Sequence, residues 1–159
     1  MEKLLKLIEN DATLSTAELA LMLEREEGEI DREIKALEDD GVILARQTVI
    51  DWEKTGRELV DALIEVKVVP ERNGGFDRVA EQLLEFPEVR SLYLMSGGFD
   101  LMLIIEGKTM REVAYFVARR LATLESVSAT ATHFVLKKYK EKGVIYRAPK
   151  KDERGVLPI

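Results

Sequence analysis

The chain of 159 residues contains no cysteine. Disulfides, thiolate catalysis and cysteine-ligated zinc are thereby excluded. Histidine occurs once, at His133 in a Thr-Ala-Thr-His-Phe-Val run. A lone histidine there reads as a packed or hydrogen-bonded strand residue rather than a ligand. No donor set has metal-ligand spacing, so neither a metal nor a cofactor is expected. The sequence has no Gly-Lys-Ser/Thr phosphate loop and no dinucleotide fingerprint. With so few catalytic candidates, the chain is read as a non-enzyme. No apolar run approaches the ~18 residues that a bilayer span needs, so no membrane association is expected. Met1-Glu2-Lys3-Leu4-Leu5-Lys6 lacks the apolar centre of a signal peptide, and a cytoplasmic location is expected from it.

What is present suffices for a core. Hydrophobic residues make up 46% of the chain and charged residues 34%. A disordered chain would lack that apolar share. The length suits one or two domains. The net charge of −6 is unevenly spread. Residues 1–61 hold 8 basic and 17 acidic side chains, a balance of −9, and the remainder carries +3. An acidic front half weakens nonspecific attraction to nucleic acid.

The first 40 residues read as three short helices. Leu4, Leu5, Ile8, Leu14 and Leu19 follow helical spacing. Ser15 to Glu18 is a Ser-x-x-Glu capping box, which opens a helix near Thr16 that runs to about Leu23. A third helix runs from about Glu27 to Asp40 with Ile30, Ile34 and Leu37 on one face, and Gly41 stops it. Val42-Ile43-Leu44 and Thr48-Val49-Ile50 read as two short strands around Ala45-Arg46-Gln47. Three helices and a hairpin within residues 1–50 follow the winged helix-turn-helix plan. Residues 51–61, polar and containing Gly56, are the expected linker, with Trp52 packed on one of the domains.

Beyond the linker the period changes. Strands are expected at Ala62–Val69, Val89–Met95, Leu101–Ile105 and Val127–Leu136. An amphipathic helix is expected at Phe76–Phe86. A second begins at the Thr109–Glu112 capping box and continues to about Leu124. The order β-α-β-β-α-β over residues 62–137 is the ferredoxin-like plan, an antiparallel sheet with two helices on one face. The fold class is therefore α+β. The other sheet face needs cover, and a second subunit is the usual one. Residues 138–159 form a basic extension: Lys137 to Arg154 carries 8 basic and 3 acidic residues. It reads as a solvated end or a phosphate or partner contact.

Two places could bind something. On the third helix, the stripe opposite Ile30, Ile34 and Leu37 is Gly28, Arg32, Lys35 and Asp39, with Arg25 just before it. The acids Glu27, Glu29, Asp31 and Glu38 fall on the flanks. Arg32 is suited to guanine edges, and Lys35 or Arg25 to a phosphate. Gly28 lets backbone come close to DNA. A merely solvated face, with Asp31 paired to Lys35 at i,i+4, explains the same pattern. Arg46 and Gln47 sit at the hairpin bend, where a wing meets the DNA backbone. The second place is the Ser96-Gly97-Gly98-Phe99-Asp100 turn. Its glycines permit unusual backbone angles and expose N–H groups that can take a carboxylate, while Asp100 can take an ammonium group. Together they suit the two charged ends of an amino acid. A plain turn, with Asp100 bonding its own backbone, is the alternative.

These residues resemble the Lrp/AsnC family, the leucine- and asparagine-responsive regulators. Leu14–Ala20 resembles the family's second helix. Ile34–Ile43 is similar to the end of its recognition helix and the entry to its wing. Phe86-Pro87-Glu88-Val89 resembles the lead into the second strand of its sensing domain. Ser96–Leu101 is similar to the family's Gly-x-Tyr-Asp hairpin, with Phe99 for tyrosine, and Thr130–Leu136 resembles its last strand. The five segments occur in order over about residues 1–140. Glu26-Glu27-Gly28 departs from the small polar cap that often precedes the recognition helix. The resemblance implies a winged helix-turn-helix followed by a ferredoxin-like effector domain. It implies double-stranded DNA as a partner, dimers formed through the sheets, and assembly to tetramers or octamers. A small-molecule effector, an amino acid, is expected between dimers. By position the effector site would use Gly97, Gly98, Phe99 and Asp100, with Ser126, Ser128, Thr130 and Thr132. A sensing and assembly module whose helix-turn-helix contacts protein instead of DNA is the second reading, motivated by the acidic front half.

Overall fold

The computed structural model describes residues 1–69 and 75–146. Residues 147–159 of the expected basic extension lie outside the described residues. The chain divides into two compact units, Met1–Val49 and the remainder from Ile50 onward.

The first unit contains α1 (Glu2–Asn10), α2 (Thr16–Leu23) and α3 (Glu27–Asp39). Helix α2 starts as its capping box directs. The Ser15 hydroxyl accepts from the Glu18 N–H at 3.3 Å, and the Glu18 carboxylate accepts from the Ser15 N–H at 2.8 Å. Both α2 and α3 end in the same hydrogen-bond pattern, with the chain turned through a left-handed residue. At α3, Val42 N–H donates to the Leu37 carbonyl across Gly41 (φ +69°). At α2, Arg25 N–H donates to the Ala20 carbonyl across Glu24 (φ 54°). Leu4, Leu19, Ala20, Ile30, Ile34 and Leu37 form the buried core of the unit. Each large side chain among them contributes roughly 1.5–3 kcal/mol through burial.

The two wing strands are not formed: no strand is assigned over residues 42–50. Val42 and Ile43 both donate their N–H groups to the Leu37 carbonyl, at 2.8 and 3.0 Å. They thus close α3 instead of opening a ladder. Leu44 is 87% exposed, so no core holds that segment in a strand. An isolated two-stranded ribbon is marginal in water.

The second unit contains β1 (Val60–Val68), α4 (Gly75–Leu84), β2 (Val89–Leu94), β3 (Leu101–Gly107), α5 (Met110–Phe116) and β4 (Val127–Phe134). The four strands form one antiparallel sheet in the order β2-β3-β1-β4. Ala62, Ile64, Val66, Leu101, Leu103 and Ile105 point to the face covered by both helices. Val79 and Leu83 of α4, and Val113 and Phe116 of α5, close that core. The alternate residues Leu63, Glu65, Met102 and Ile104 lie on the other face.

Several boundaries differ from expectation: α4 ends at Leu84, β3 runs on to Gly107 and β4 ends at Phe134. Strand β1 begins inside the expected linker, because Val60 and Asp61 pair with Gly107 and Glu106. The rest of that linker includes a 3-10 turn, Trp52–Thr55. The Arg57 guanidinium lies 4.7 Å from the Trp52 ring centroid. Helix α5 changes to a π turn over Val117–Leu121, closed by Ala122 N–H on the Val117 carbonyl at 2.8 Å. After β4, residues 140–145 form a hairpin, β5 (Lys140–Glu141) and β6 (Val144–Ile145), where a solvated end was expected. Its two turn residues, Lys142 and Gly143, both have positive φ (45° and 83°), the geometry of a tight hairpin turn. The Lys138 ammonium pairs with Asp61 of β1, which ties this segment back to the sheet.

Candidate nucleic-acid interface and effector site

Helix α3 carries the expected reading face. Burial of Ile30, Ile34 and Leu37 turns Arg32 and Lys35 to solvent. Arg32 Nε donates to the Gly28 carbonyl at 2.9 Å, which lays the guanidinium along the first turn. The anticipated Asp31–Lys35 pair is not formed among the described residues. A Cβ added at Gly28 would meet nothing within 4 Å, so the surface beside it is open. Glu26, in the N-cap position, makes no side-chain capping bond.

Arg25 and Arg46 are engaged differently. Arg25 Nη1 donates to Glu33 at 2.5 Å, and its Nε lies 3.6 Å from Glu29. Glu33 also accepts the Met1 amino group at 3.0 Å. These two cations hold the Glu33 carboxyl below the usual carboxylate range, with the Arg25 hydrogen bond the larger cause. Arg46 Nη2 donates to Glu38 of α3 at 2.9 Å. Both arginines thus bridge parts of the unit itself. Gln47 follows Arg46 in the exposed arm. The acidic partners Glu29, Glu33 and Glu38 escaped the sequence reading. Glu29 lies four residues from Arg25, but the Arg25–Glu33 and Arg46–Glu38 pairs span eight residues and follow no single-helix rule.

At the Ser96–Asp100 turn, Gly97 adopts φ +154°, a conformation that side chains disfavour. A Cβ at Gly97 or Gly98 would meet nothing within 4 Å. Among the described residues, the N–H groups of both glycines have no partner. Phe99 is half-buried beside them. Asp100 is committed further than the sequence suggested. Its Oδ2 accepts the Val68 N–H at 2.8 Å, and its own N–H donates to the Val66 carbonyl at 3.0 Å. The carboxylate therefore clasps the end of β1, rather than bonding its own turn.

The strand positions divide by register. Thr130 and Thr132 stand opposite Val66 and Ile64, on the helix-covered side of the sheet. Ser128 donates its hydroxyl to the Lys67 carbonyl at 3.1 Å. Ser126 is buried, and its carbonyl accepts the Val69 N–H at 2.9 Å. Asp100 thus meets Val68, the last residue of β1, and Ser126 meets Val69, the residue after it, while Thr132 lies deeper in the sheet. His133 sits on the opposite face, with Nε2 3.2 Å from Glu65. Among the described residues, no group of three His, Asp or Glu could hold a metal, and no helix is long and apolar enough to cross a membrane.

A three-helix unit that presents a solvent-facing helix, joined to a ferredoxin-like domain whose two helices cover one sheet face, defines a class of helix-turn-helix regulator. Residues 61–145 match the model of the Lrp/AsnC ligand binding domain. The chain is 42% identical to YugG, an HTH-type transcriptional regulator of Bacillus subtilis, over 98% of this chain and 94% of that protein. It is 30% identical to the HTH-type transcriptional regulator FL11 of Pyrococcus horikoshii, over 88% of this chain and 89% of that one. An AsnC family transcriptional regulator from Agrobacterium tumefaciens superposes with a TM-score of 0.71 at 26% identity, covering 93% of this chain and 94% of the other. A Neisseria meningitidis transcriptional regulator, solved as its L-Met complex, shares the fold at a TM-score of 0.72 and 24% identity, covering 87% and 89%. The chain belongs to the Lrp/AsnC family of transcriptional regulators.

Proposed function

We propose that this chain binds specific double-stranded DNA through α3 and that an amino acid held at the Ser96–Asp100 turn controls its assembly or DNA affinity. The observation that carries the first half is the solvent-facing pair Arg32 and Lys35, opposite a fully apolar face of α3. An arginine at that place can read guanine edges, and a lysine can hold a phosphate. The second half is supported by the unpartnered N–H groups of Gly97 and Gly98, which suit a carboxylate. The L-Met complex of the Neisseria relative supports an amino acid as the effector class.

The sheet face opposite the two helices supports a homo-oligomer. Leu63, Met102 and Ile104 lie there with exposed Tyr93. A self-complementary surface of that kind suits a two-fold dimer, and further pairing of dimers gives tetramers or octamers. Repetition of a modest DNA contact in such an assembly raises its avidity.

One observation favours a second reading, a module whose first unit contacts protein. Arg25 and Arg46 are both held by carboxylates of their own unit. The two readings separate in a selection from sheared genomic DNA, at low and moderate salt, with and without the twenty amino acids. Discrete sites that survive moderate salt, and that Arg32→Ala loses, establish the regulator. Absence of enrichment from folded, oligomeric protein overturns the DNA reading, and a protein pull-down that depends on residues 1–50 then supports the protein-contact module.

A further inference from the structure

The effector turn lies at one end of the β2–β3 hairpin. At the other end is a cavity of about 240 Å³ between α5 and the sheet. The register pairs Val89 with Ile105, so Glu88 and Glu106 stand at that far end. Along β3 this is about 20 Å from Asp100, at roughly 3.4 Å per residue. The cavity is separate from the turn and shares no residue with it.

Its chemistry has three parts. Ile105, Val113 and Phe116 supply an apolar wall, and all three are buried. Gly107 lets the wall close up: a Cβ there would lie 2.9 Å from Val113 Cγ2. Glu88 supplies a carboxylate that is only half satisfied. Its Oε1 accepts from Arg120 Nη1 at 3.3 Å, while its Oε2 is shut off from solvent with no partner. An orphaned buried acceptor is costly and rare. Glu88 thus stands at the cavity wall with acceptor capacity that its single bond to Arg120 does not use.

The third part is cationic. Arg119 and Arg120 both line the cavity, although they are consecutive. The π turn over Val117–Leu121 carries them. Such turns insert one residue into a helix and recur at functional sites. Each guanidinium is propped on a ring: Arg119 lies 5.1 Å from the Tyr115 centroid and Arg120 4.7 Å from that of Phe86. Stacking of this kind fixes the orientation of a cation while its N–H edge stays available.

We infer that this cavity is a second small-molecule site, which binds an apolar α-amino acid. The ammonium group meets Glu88, the carboxylate meets Arg119 and Arg120, and the side chain lies against Ile105, Val113 and Phe116. The volume admits a compact ligand of this size and is too small for a drug-sized one. The site stands whether or not the Ser96–Asp100 turn binds an effector.

The test is calorimetric titration of the full chain with L-leucine, L-methionine, L-valine and L-phenylalanine. Isopentylamine and 4-methylpentanoate serve as half-analogues of leucine. At least one amino acid is expected to bind at least about tenfold more weakly to Glu88→Gln and to Arg120→Met, because each removes a charge-assisted contact. Asp100→Asn is expected to retain that binding. Each half-analogue of leucine is expected to bind about tenfold or more below leucine. The two cavity variants are checked by thermal unfolding, and Arg120→Met carries the test if Glu88→Gln does not fold. Binding indifferent to both variants, half-analogues as tight as leucine, or no heat from any of the four amino acids overturns the proposal. Loss of binding in Asp100→Asn alone places the amino acid at the turn and likewise overturns it.

Discussion

Asp100 accepts the backbone N–H of Val68 at 2.8 Å, across 32 residues of sequence. This one carboxylate oxygen ends the β1–β3 pairing where the Ser96–Asp100 turn meets the sheet, and the Asp100 N–H returns to Val66 from the same turn. The residue therefore has a structural duty alongside the ammonium-binding role that its position suggests. The two duties separate by substitution. Asp100→Ala leaves a part-buried N–H without its acceptor, and a loss of about 1–3 kcal/mol is expected. Asp100→Asn retains an oxygen acceptor and is expected to keep most of that stability, while it removes the negative charge. Urea unfolding of the two variants measures the difference. Equal destabilisation by both would show that the Val68 contact depends on charge.

The ends of α2 and α3 make a matched pair. Both chains turn left-handed, but α3 uses Gly41 and α2 uses Glu24, at φ 54° and ψ 46°. A residue with a Cβ pays roughly 1–2 kcal/mol for that conformation. Glycine recovers part of it and loses part again to its freedom in the unfolded chain. Glu24→Gly is expected to stabilise the first unit by about 0.5–1 kcal/mol, seen as a higher urea midpoint with unchanged slope. A lower midpoint would show that the glutamate side chain contributes more than its strain.

Stability of the first unit should fall in acid, and the sign follows from its carboxylates. Asp11 is lowered by the Thr13 hydroxyl and N–H, Glu18 by the Ser15 N–H and hydroxyl, and Glu33 by Arg25 and the amino terminus. A carboxylate whose folded pKa lies below its unfolded one adds stability that is complete above the unfolded value. That stability is lost as the pH drops through the folded value. The expected window is thus the lower edge of the ordinary carboxylate range and below. Circular dichroism melts between pH 7 and pH 3 would record it, and Glu33→Gln should flatten the dependence. A midpoint that rises on acidification contradicts these interactions.

Local rules made much of this legible. The Ser15-x-x-Glu18 box placed the start of α2, and Gly41 placed the end of α3. The mixed apolar and charged run Ala62–Val69 was legible as a strand, and its burial alternates because the helices cover one face of the sheet. What escaped was decided by partners distant in sequence or by competition for a donor. Val42 and Ile43 have strand-like side chains, but their N–H groups are taken by Leu37. The hairpin at Lys142-Gly143 carried a turn signal within a basic run, and Asp61, which anchors the segment, lies some 77 residues earlier through Lys138. The turn residues Gly97 to Asp100 were legible as a candidate site, whereas the bond from Asp100 to Val68 was not. Likewise Arg25 and Arg32 look equivalent as letters, and only the fold separates the paired one from the exposed one.

That last contrast has a direct consequence for DNA. Arg32 and Lys35 face solvent, while Arg25 is bound to Glu29 and Glu33. If α3 reads bases, Arg32→Ala should lower affinity for a selected operator by about 1–3 kcal/mol, and should relax the preference at one base position. Lys35→Ala should weaken binding similarly on all sequences and reduce the salt slope by about 1, the signature of one lost phosphate contact. Arg25→Ala should act first on folding, because it leaves two carboxylates beside each other with one fewer cation. Its effect on operator affinity should then track its loss of stability and vanish in protein restabilised by Glu24→Gly. Salt-dependent fluorescence anisotropy on the three variants separates these patterns. An Arg25 variant that is stable yet blind to the operator would mean that the ion pair opens on DNA, and that Glu33 competes with phosphate for the same guanidinium.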